Sequence, residues 1–478
     1  GLRCVSRVGS GKARCIRERD GFQGLGLRVG RESVHNRAVR PTSEKERLDR
    51  LVEREGTPPN DAFARAAWLR RFLPNDEAAR AAELIALRER AATKFACAER
   101  MWLTASGFEQ STHPHVAAWR ARRVAALARE RGFAVLDGTC GLGGEVAELT
   151  RASAGGEVAE LARAGTTVLG ADLDLETVRC ARRNLEVWNV GGATVSVPPV
   201  LVADVLAPPF ADLERRLLVV DPSRRSGGKR TLDPEAWAPP FGRLAAVLAR
   251  FAGSCVKLAP AARPEELEGR LPRGLPFAWT WVSRAGELAE LCLWTGALAP
   301  RAEREVVLLA RDGRELARHV GALERADDAQ PVADPLAVRF IAAPDPALVT
   351  SGLLGPIARA AGLAPLGSGI GFVGGDAPAG QPGLRDLAVR AACKLDRKAV
   401  RRMLGEHGIG PVRVLARGLA ESADELERRL AGPGTERGLL VAARTDSGRC
   451  VWLVDEADSR AANGPSSNTT AMDGTPDE

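Results

Sequence analysis

Four carboxylates in this chain each close a short apolar run. Asp137 follows Phe133-Ala134-Val135-Leu136, and Asp172 follows Val168-Leu169-Gly170-Ala171. Asp204 ends a third run, and Asp221 follows Leu217-Leu218-Val219-Val220. The first carboxylate leads into a Gly-rich turn, Gly138-Thr139-Cys140-Gly141-Leu142-Gly143-Gly144, and then into a helical pattern. Strand, Gly-rich turn and helix N-terminus together form the layout of a nucleotide-type cofactor site. The carboxylate narrows the choice. A dinucleotide seats its pyrophosphate on that helix N-terminus, and a carboxylate at the strand end would repel it. A cofactor with cationic groups and no phosphate suits Asp137 instead.

S-adenosylmethionine has that chemistry, carrying a sulfonium and an ammonium. Gly138, Thr139, Gly141 and Gly143 then shape the turn around it. Asp172, ending the second strand, is placed to take ribose hydroxyls. A nicotinamide dinucleotide is argued against by Asp137 and by Asp221-Pro222.

These residues need a scaffold that brings strand ends together. A helix pattern with Arg182-Arg183-Asn184-Leu185 follows the second strand, and Cys255-Val256-Lys257-Leu258 reads as a further strand after another helix. Alternating strands and helices build an open parallel sheet, whose ligands bind at the carboxyl ends of the strands. From about Phe133 to Trp294 the chain resembles a class I S-adenosylmethionine-dependent methyltransferase domain. In that resemblance Asp137–Gly144 is the first motif, Asp172 the second, Asp204 the adenine-side acidic position, and Asp221-Pro222 the fourth. Further segments widen the match: Glu109-Gln110-Ser111-Thr112, Asp221-Pro222-Ser223-Arg224-Arg225, Ser283-Arg284-Ala285-Gly286-Glu287-Leu288, Pro344-Asp345-Pro346-Ala347 and a basic segment from Lys394. The combination is similar to bacterial methyltransferases that end in a THUMP-like domain, over roughly residues 84–455. It implies an α/β fold: a Rossmann-like sheet, mostly parallel with its last strand antiparallel, an N-terminal helical region and a small C-terminal α+β domain. THUMP domains dock on tRNA, so the resemblance also implies RNA as partner.

Methyl transfer from a sulfonium needs residues that position the acceptor and exclude water. The resemblance gives that role to Asp221, Pro222 and Ser223. In amino-group methyltransferases the equivalent acidic or amide side chain and the next carbonyl accept hydrogen bonds from the target amine. Those enzymes usually place an aromatic residue two positions after the proline, and this chain has Arg224. The cluster Arg224, Arg225, Lys229 and Arg230 reads either as a grip for a phosphate or carboxylate or as a flexible basic loop. Gln110 is a further candidate substrate contact, and Lys257 reads either as a substrate contact or as a plain strand-end charge. Ser111 or Thr112 is expected to cap the next helix or to help close the site. Surface or capping roles suit His113 and His115. Trp279, Trp281 and Trp294 read as core.

The 478 residues allow two or three domains, and 45% are hydrophobic. The pattern divides into residues 1–42 (disordered), 43–131 (helical), 132–299 (cofactor domain), 300–383 (connecting), 384–455 (α+β) and 456–478 (disordered tail). The net charge of +7 favours an anionic partner such as nucleic acid. The 9 Cys form no Cys-x-x-Cys pair and are odd in number, which disfavours a disulfide framework and a zinc site. That usage fits a reducing cytoplasm. No metal is expected, and no apolar run is long enough for a transmembrane helix. In the C-terminal unit, Lys394, Arg397, Lys398, Arg401 and Arg402 form a basic helix entry, either a phosphate-backbone contact or a solvated face.

Gly143–Leu149 recurs as Gly155–Leu161. Two successive glycines cost roughly 1 kcal/mol each within a helix, so a break is expected at Gly155, with the first copy facing the cofactor. Three functions remain open: a methyltransferase of RNA, tRNA favoured; a methyltransferase of a small molecule or protein; and a non-catalytic RNA-binding protein with a methyltransferase-like domain.

Overall fold

The computed structural model describes residues 44–154, 167–188, 197–226, 229–231, 233–323 and 330–456. The terminal segments expected to be disordered, apart from Glu456, and the second copy of the repeat lie outside these residues.

Five helices lead in: α1 (Glu44–Glu55), α2 (Ala62–Arg70), α3 (Asn75–Ala91), α4 (Ala105–Gln110) and α5 (Pro114–Arg131). Helix α5 starts on a side-chain cap from His113 with Pro114 at its first position, and it stops at Gly132 in the left-handed conformation. The cap is therefore His113, not Ser111 or Thr112, because the helix begins one residue later than the polar pair allows. Ser111 instead ends α4.

The first sheet is built from β1 (Ala134–Asp137), α6 (Gly144–Ala154), β2 (Val168–Asp172), α7 (Leu175–Val187), β3 (Val200–Val202) and β4 (Arg216–Val220). A two-residue hairpin follows, β5 (Arg225–Ser226) and β6 (Lys229–Arg230). Then come α8 (Phe241–Leu248), β7 (Gly253–Leu258), α9 (Pro264–Glu268), β8 (Phe277–Arg284), β9 (Glu287–Gly296), β10 (Arg304–Leu309) and β11 (Glu315–Gly321). The strand order is β11-β10-β8-β9-β7-β4-β1-β2-β3. Strands β3, β2, β1, β4 and β7 run parallel, and β9 inserts antiparallel between β7 and β8. Leu217, Leu218, Val219 and Val220 are all buried, as a strand covered on both faces requires. One face packs on α5, α6 and α7 through Trp119, Val124, Leu149 and Leu185, and the other on α8 and α9 through Phe241, Leu244 and Leu267.

The second sheet contains β12 (Phe340–Pro344), β13 (Ala364–Pro365), β14 (Val373–Gly375), β15 (Leu384–Lys394), β16 (Ile409–Arg417), β17 (Glu436–Thr445) and β18 (Gly448–Glu456). Helices α10 (Pro346–Ser351), α11 (Leu354–Ala360), α12 (Arg397–Glu406) and α13 (Ala423–Leu430) accompany it. Its order is β13-β14-β12-β15-β18-β17-β16, with β16 and β17 parallel. The described residues of 300–383, expected as a connecting region, are instead divided between the sheets. Every residue of β10 is buried, and the strand pairs in parallel with β8, so the first sheet extends past 299. Strands β12–β14 belong to the second sheet. The units also touch: Asp345 accepts from the Ser283 hydroxyl at 2.6 Å, and Arg304 donates to the Ser351 carbonyl at 3.0 Å.

Candidate active site

The carboxyl ends of β1, β2, β3, β4 and β7 open onto a cavity of about 910 Å³. Asp137, Gly138, Thr139, Gly141, Asp172, Asp204, Asp221, Ser223, Lys257 and Gln110 all line it. The loops that carry them are tied to one another. Asp172 accepts from the Gly141 N–H at 3.1 Å and from the Asp174 N–H at 3.1 Å. The Asp221 N–H donates to the Thr139 hydroxyl at 2.7 Å. Asp204 turns its own loop by accepting from the Leu206 N–H at 2.8 Å. Lys257 forms an ion pair with the Asp221 carboxylate.

Two glycines explain the spacing of the turn. A Cβ on Gly138 would lie 2.4 Å from Val205, so the turn can pack beneath the β3 loop only without a side chain. Gly143 has φ +87° and lies against Ala181 of α7. It shapes the turn but does not itself line the cavity. Pro222 is buried behind Asp221. Arg224 borders a separate recess of about 110 Å³ with Arg263 and Glu266. Arg225, Lys229 and Arg230 lie on the β5–β6 hairpin.

Asp137 is 2% exposed, and its Oδ1 accepts from the Thr139 N–H at 3.2 Å. Its Oδ2 is buried without a partner among the described residues. Burial, then the neighbouring Glu145, and also Asp172 hold its carboxyl well above the usual carboxylate range. An orphaned carboxylate oxygen in the wall of a cavity fits a cationic ligand group. The Asp137 carboxylate and the cavity it lines therefore fit S-adenosylmethionine, whose sulfonium and ammonium are cationic.

Several residues at the cavity carry no sequence motif. Arg120 is 1% exposed and forks onto Glu145 at the start of α6, while its other arm reaches Glu290 on β9. Arg120 and Glu145 both line the cavity. Lys94 lines it too and donates to the Ser111 hydroxyl at 2.7 Å. Burial, with Lys257 nearby, lowers the Lys94 ammonium to about 8. Trp237 adds an aromatic wall, its Nε1 buried without an acceptor among the described residues. Asn184, fully buried, bonds the Trp102 backbone at 2.8 and 3.0 Å and the Leu142 carbonyl at 3.1 Å, tethering the helical region to the Gly-rich turn. Among the described residues no group of three or more His, Cys, Asp or Glu is placed to hold a metal. No described helix is long and apolar enough to cross a membrane.

A family model described as THUMP domain-like matches residues 384–456. In fold, the chain is similar to a solved Porphyromonas gingivalis protein described as a candidate methyltransferase. The TM-score is 0.63 at 17% identity, over 84% of this chain and 99% of that one. Proteins from two strains of Mycobacterium tuberculosis, each named an uncharacterized S-adenosylmethionine-dependent methyltransferase, are 31% identical over 374 residues. That match spans 77% of this chain and 92% of each relative. With this identity across a sheet whose strand ends converge on one carboxylate-lined cavity, the chain belongs to the S-adenosylmethionine-dependent methyltransferases.

Proposed function

We propose that this methyltransferase modifies RNA, tRNA being favoured, in the cytoplasm. The observation that carries the reading is the C-terminal unit matched as THUMP domain-like. Its edge presents Lys394, Arg397, Lys398, Arg401 and Arg402, all exposed. Helix α12 holds Val400, Met403 and Leu404 inward, which leaves its cations to solvent. Exposed cations on a packed module suit a phosphate backbone, where affinity comes from charge neutralisation.

When bound, S-adenosylmethionine supplies an already activated methyl group. What remains for the chain is orientation and exclusion of water. Asp221 accepts a hydrogen bond from the acceptor group, and its ion pair with Lys257 restrains the carboxylate. Because the Asp221 N–H is bonded to Thr139, the acceptor end of the cavity is tied to the cofactor turn. Trp237 offers an aromatic surface at the cavity although position 224 does not.

The direct test is transfer of a labelled methyl group from S-adenosylmethionine to total tRNA and rRNA. Mass spectrometry of both pools from a deletion strain and its parent accompanies it. Labelled RNA and one modified nucleoside missing from the deletion strain support the reading. Unlabelled RNA, together with identical nucleoside profiles, overturns it in favour of a small-molecule or protein acceptor.

A further inference from the structure

A second cavity, of about 580 Å³, shares Lys94, Pro114 and His115 with the first. Two sequence segments without an assigned catalytic role meet there: the stretch entering α5 and the end of β8 at Arg284. Lys94, His113, His115, Arg284, Arg311 and Asp312 supply its ionisable lining, five basic groups against one carboxylate.

The cavity has a built wall. The Arg311 carbonyl is held by the Arg284 guanidinium and by His115 Nδ1, the latter at 2.9 Å. A Cβ on Gly313 would lie 2.7 Å from the His115 Cβ, so the β10–β11 turn presses on the start of α5. His113 Nδ1 accepts the His115 N–H at 3.2 Å, which leaves Nε2 as the donor of the neutral ring. The Arg284 Nε–H is buried without an acceptor among the described residues. Cations on three segments, the neutral-ring donor of His113 and a wall shared with the active cavity describe a site for an anion.

We propose that this cavity is a phosphate subsite, seating the phosphodiester beside the target nucleotide while the target group enters the cofactor cavity. The proposal rests on the RNA reading above for the source of the phosphate. The electrostatics agree. Burial, then Arg284, with His115 and Lys94, lowers the His113 imidazole to about 4. An anion seated among these groups offsets them and must raise it again.

Two arms test the proposal on the full chain. In the first, inorganic phosphate is titrated at constant ionic strength, and His113 is followed by NMR, with His113→Gln assigning its signal. The expected result is a rise of about one unit or more in its titration midpoint, and Arg284→Gln requires roughly tenfold more phosphate for the same shift. A His113 titration indifferent to phosphate overturns the subsite. In the second, methyl transfer to tRNA is measured for Arg284→Gln and for Arg311→Gln, whose exposed side chain is lost while its carbonyl stays. KM for RNA is expected to rise about tenfold, with kcat and cofactor affinity within about twofold. An unchanged KM in both variants overturns the proposal. A wild type that binds phosphate here yet methylates no RNA overturns the RNA source and leaves the anion site standing.

Discussion

Asp137→Asn separates what the buried carboxylate costs the empty protein from what it does for ligand binding. In the wild type, Asp137 is enclosed, one oxygen has no donor among the described residues, and burial with the Glu145 and Asp172 carboxylates outweighs the opposing Arg120 cation. Its folded-state pKa is raised, so its ionised form opposes folding. The sign follows from linkage. The wild-type contribution is favourable below the unfolded-state value and is lost as pH rises through the raised folded-state value. Asparagine keeps an oxygen for the Thr139 N–H and places an amide where the repelled oxygen was. The variant should therefore be more stable than the wild type at about pH 8, by on the order of 1–3 kcal/mol, the usual cost of an uncompensated buried polar group. The gain should shrink towards about pH 4, where both side chains are neutral.

Ligand affinity moves the other way. A hydrogen bond to a charged partner contributes about 1.5–3 kcal/mol, so S-adenosylmethionine should bind roughly 10- to 150-fold more weakly to the variant. Urea unfolding without cofactor at both pH values, together with calorimetry at the higher one, measures both effects. A variant less stable than the wild type at pH 8, or a gain independent of pH, would refute the reasoning. So would undiminished affinity.

Arg120→Ala leaves Glu290 and Glu145 facing each other without their cation. It should lose about 3–5 kcal/mol in urea unfolding, and Arg120→Lys should recover only part because an ammonium cannot fork. Asp172→Ala should weaken S-adenosylmethionine binding in calorimetry with little change in stability, since that carboxylate organises the ligand edge rather than the core. Asp221→Ala should keep cofactor affinity within a few-fold and lose most turnover; equal loss of both would assign Asp221 a structural role. Lys398→Ala combined with Arg401→Ala should lower the slope of log K against log salt for tRNA by about 1.4, if both touch single-stranded phosphates. Identical slopes would remove α12 from the interface.

The strand-end carboxylates were legible because strand ends and turns are local patterns. An apolar run followed by Asp and glycines admits few structures, and the basic helix entry of the C-terminal unit leads into α12. Charges used at a distance were not legible. Arg120 stands in Ala118-Trp119-Arg120-Ala121-Arg122-Arg123, where an arginine reads as a solvated helix face. Its partners lie 25 and 170 residues away, and only the packing of α5 against α6 and β9 encloses it. Lys94 is hidden for the same reason. The apolar run Val306-Val307-Leu308-Leu309 does signal a strand, but nothing local tells it to extend the first sheet. Arg224 directly follows the acceptor motif in sequence. Yet the pairing of Ser223 with Ala238 brings Trp237 to the cavity, while Arg224 borders a separate recess.

The tandem repeat bears on whether this cavity can work at all. Helix α6, formed by the first copy, begins at the ligand edge, where Glu145 meets Arg120, and runs away from it for 11 residues. At a rise of about 1.5 Å per residue its end lies roughly 16 Å from the turn. The chain leaves α6 at Ala154 and rejoins the described structure at Thr167, just before β2. Strand β2 runs parallel to β1, so its start lies at the edge opposite Asp137 and Asp172. The two described ends that flank the duplicated residues, Ala154 and Thr167, therefore lie on the side away from the cofactor. The ties among the ligand-edge loops do not pass through them: Thr139 to Asp221, Gly141 to Asp172, and Cys140 to the Ala171 carbonyl at 2.8 Å. An open α/β sheet can lengthen a helix-to-strand connection at that edge while its binding edge keeps its geometry. The lengthened gap between the first two motifs is thus compatible with a formed cofactor site.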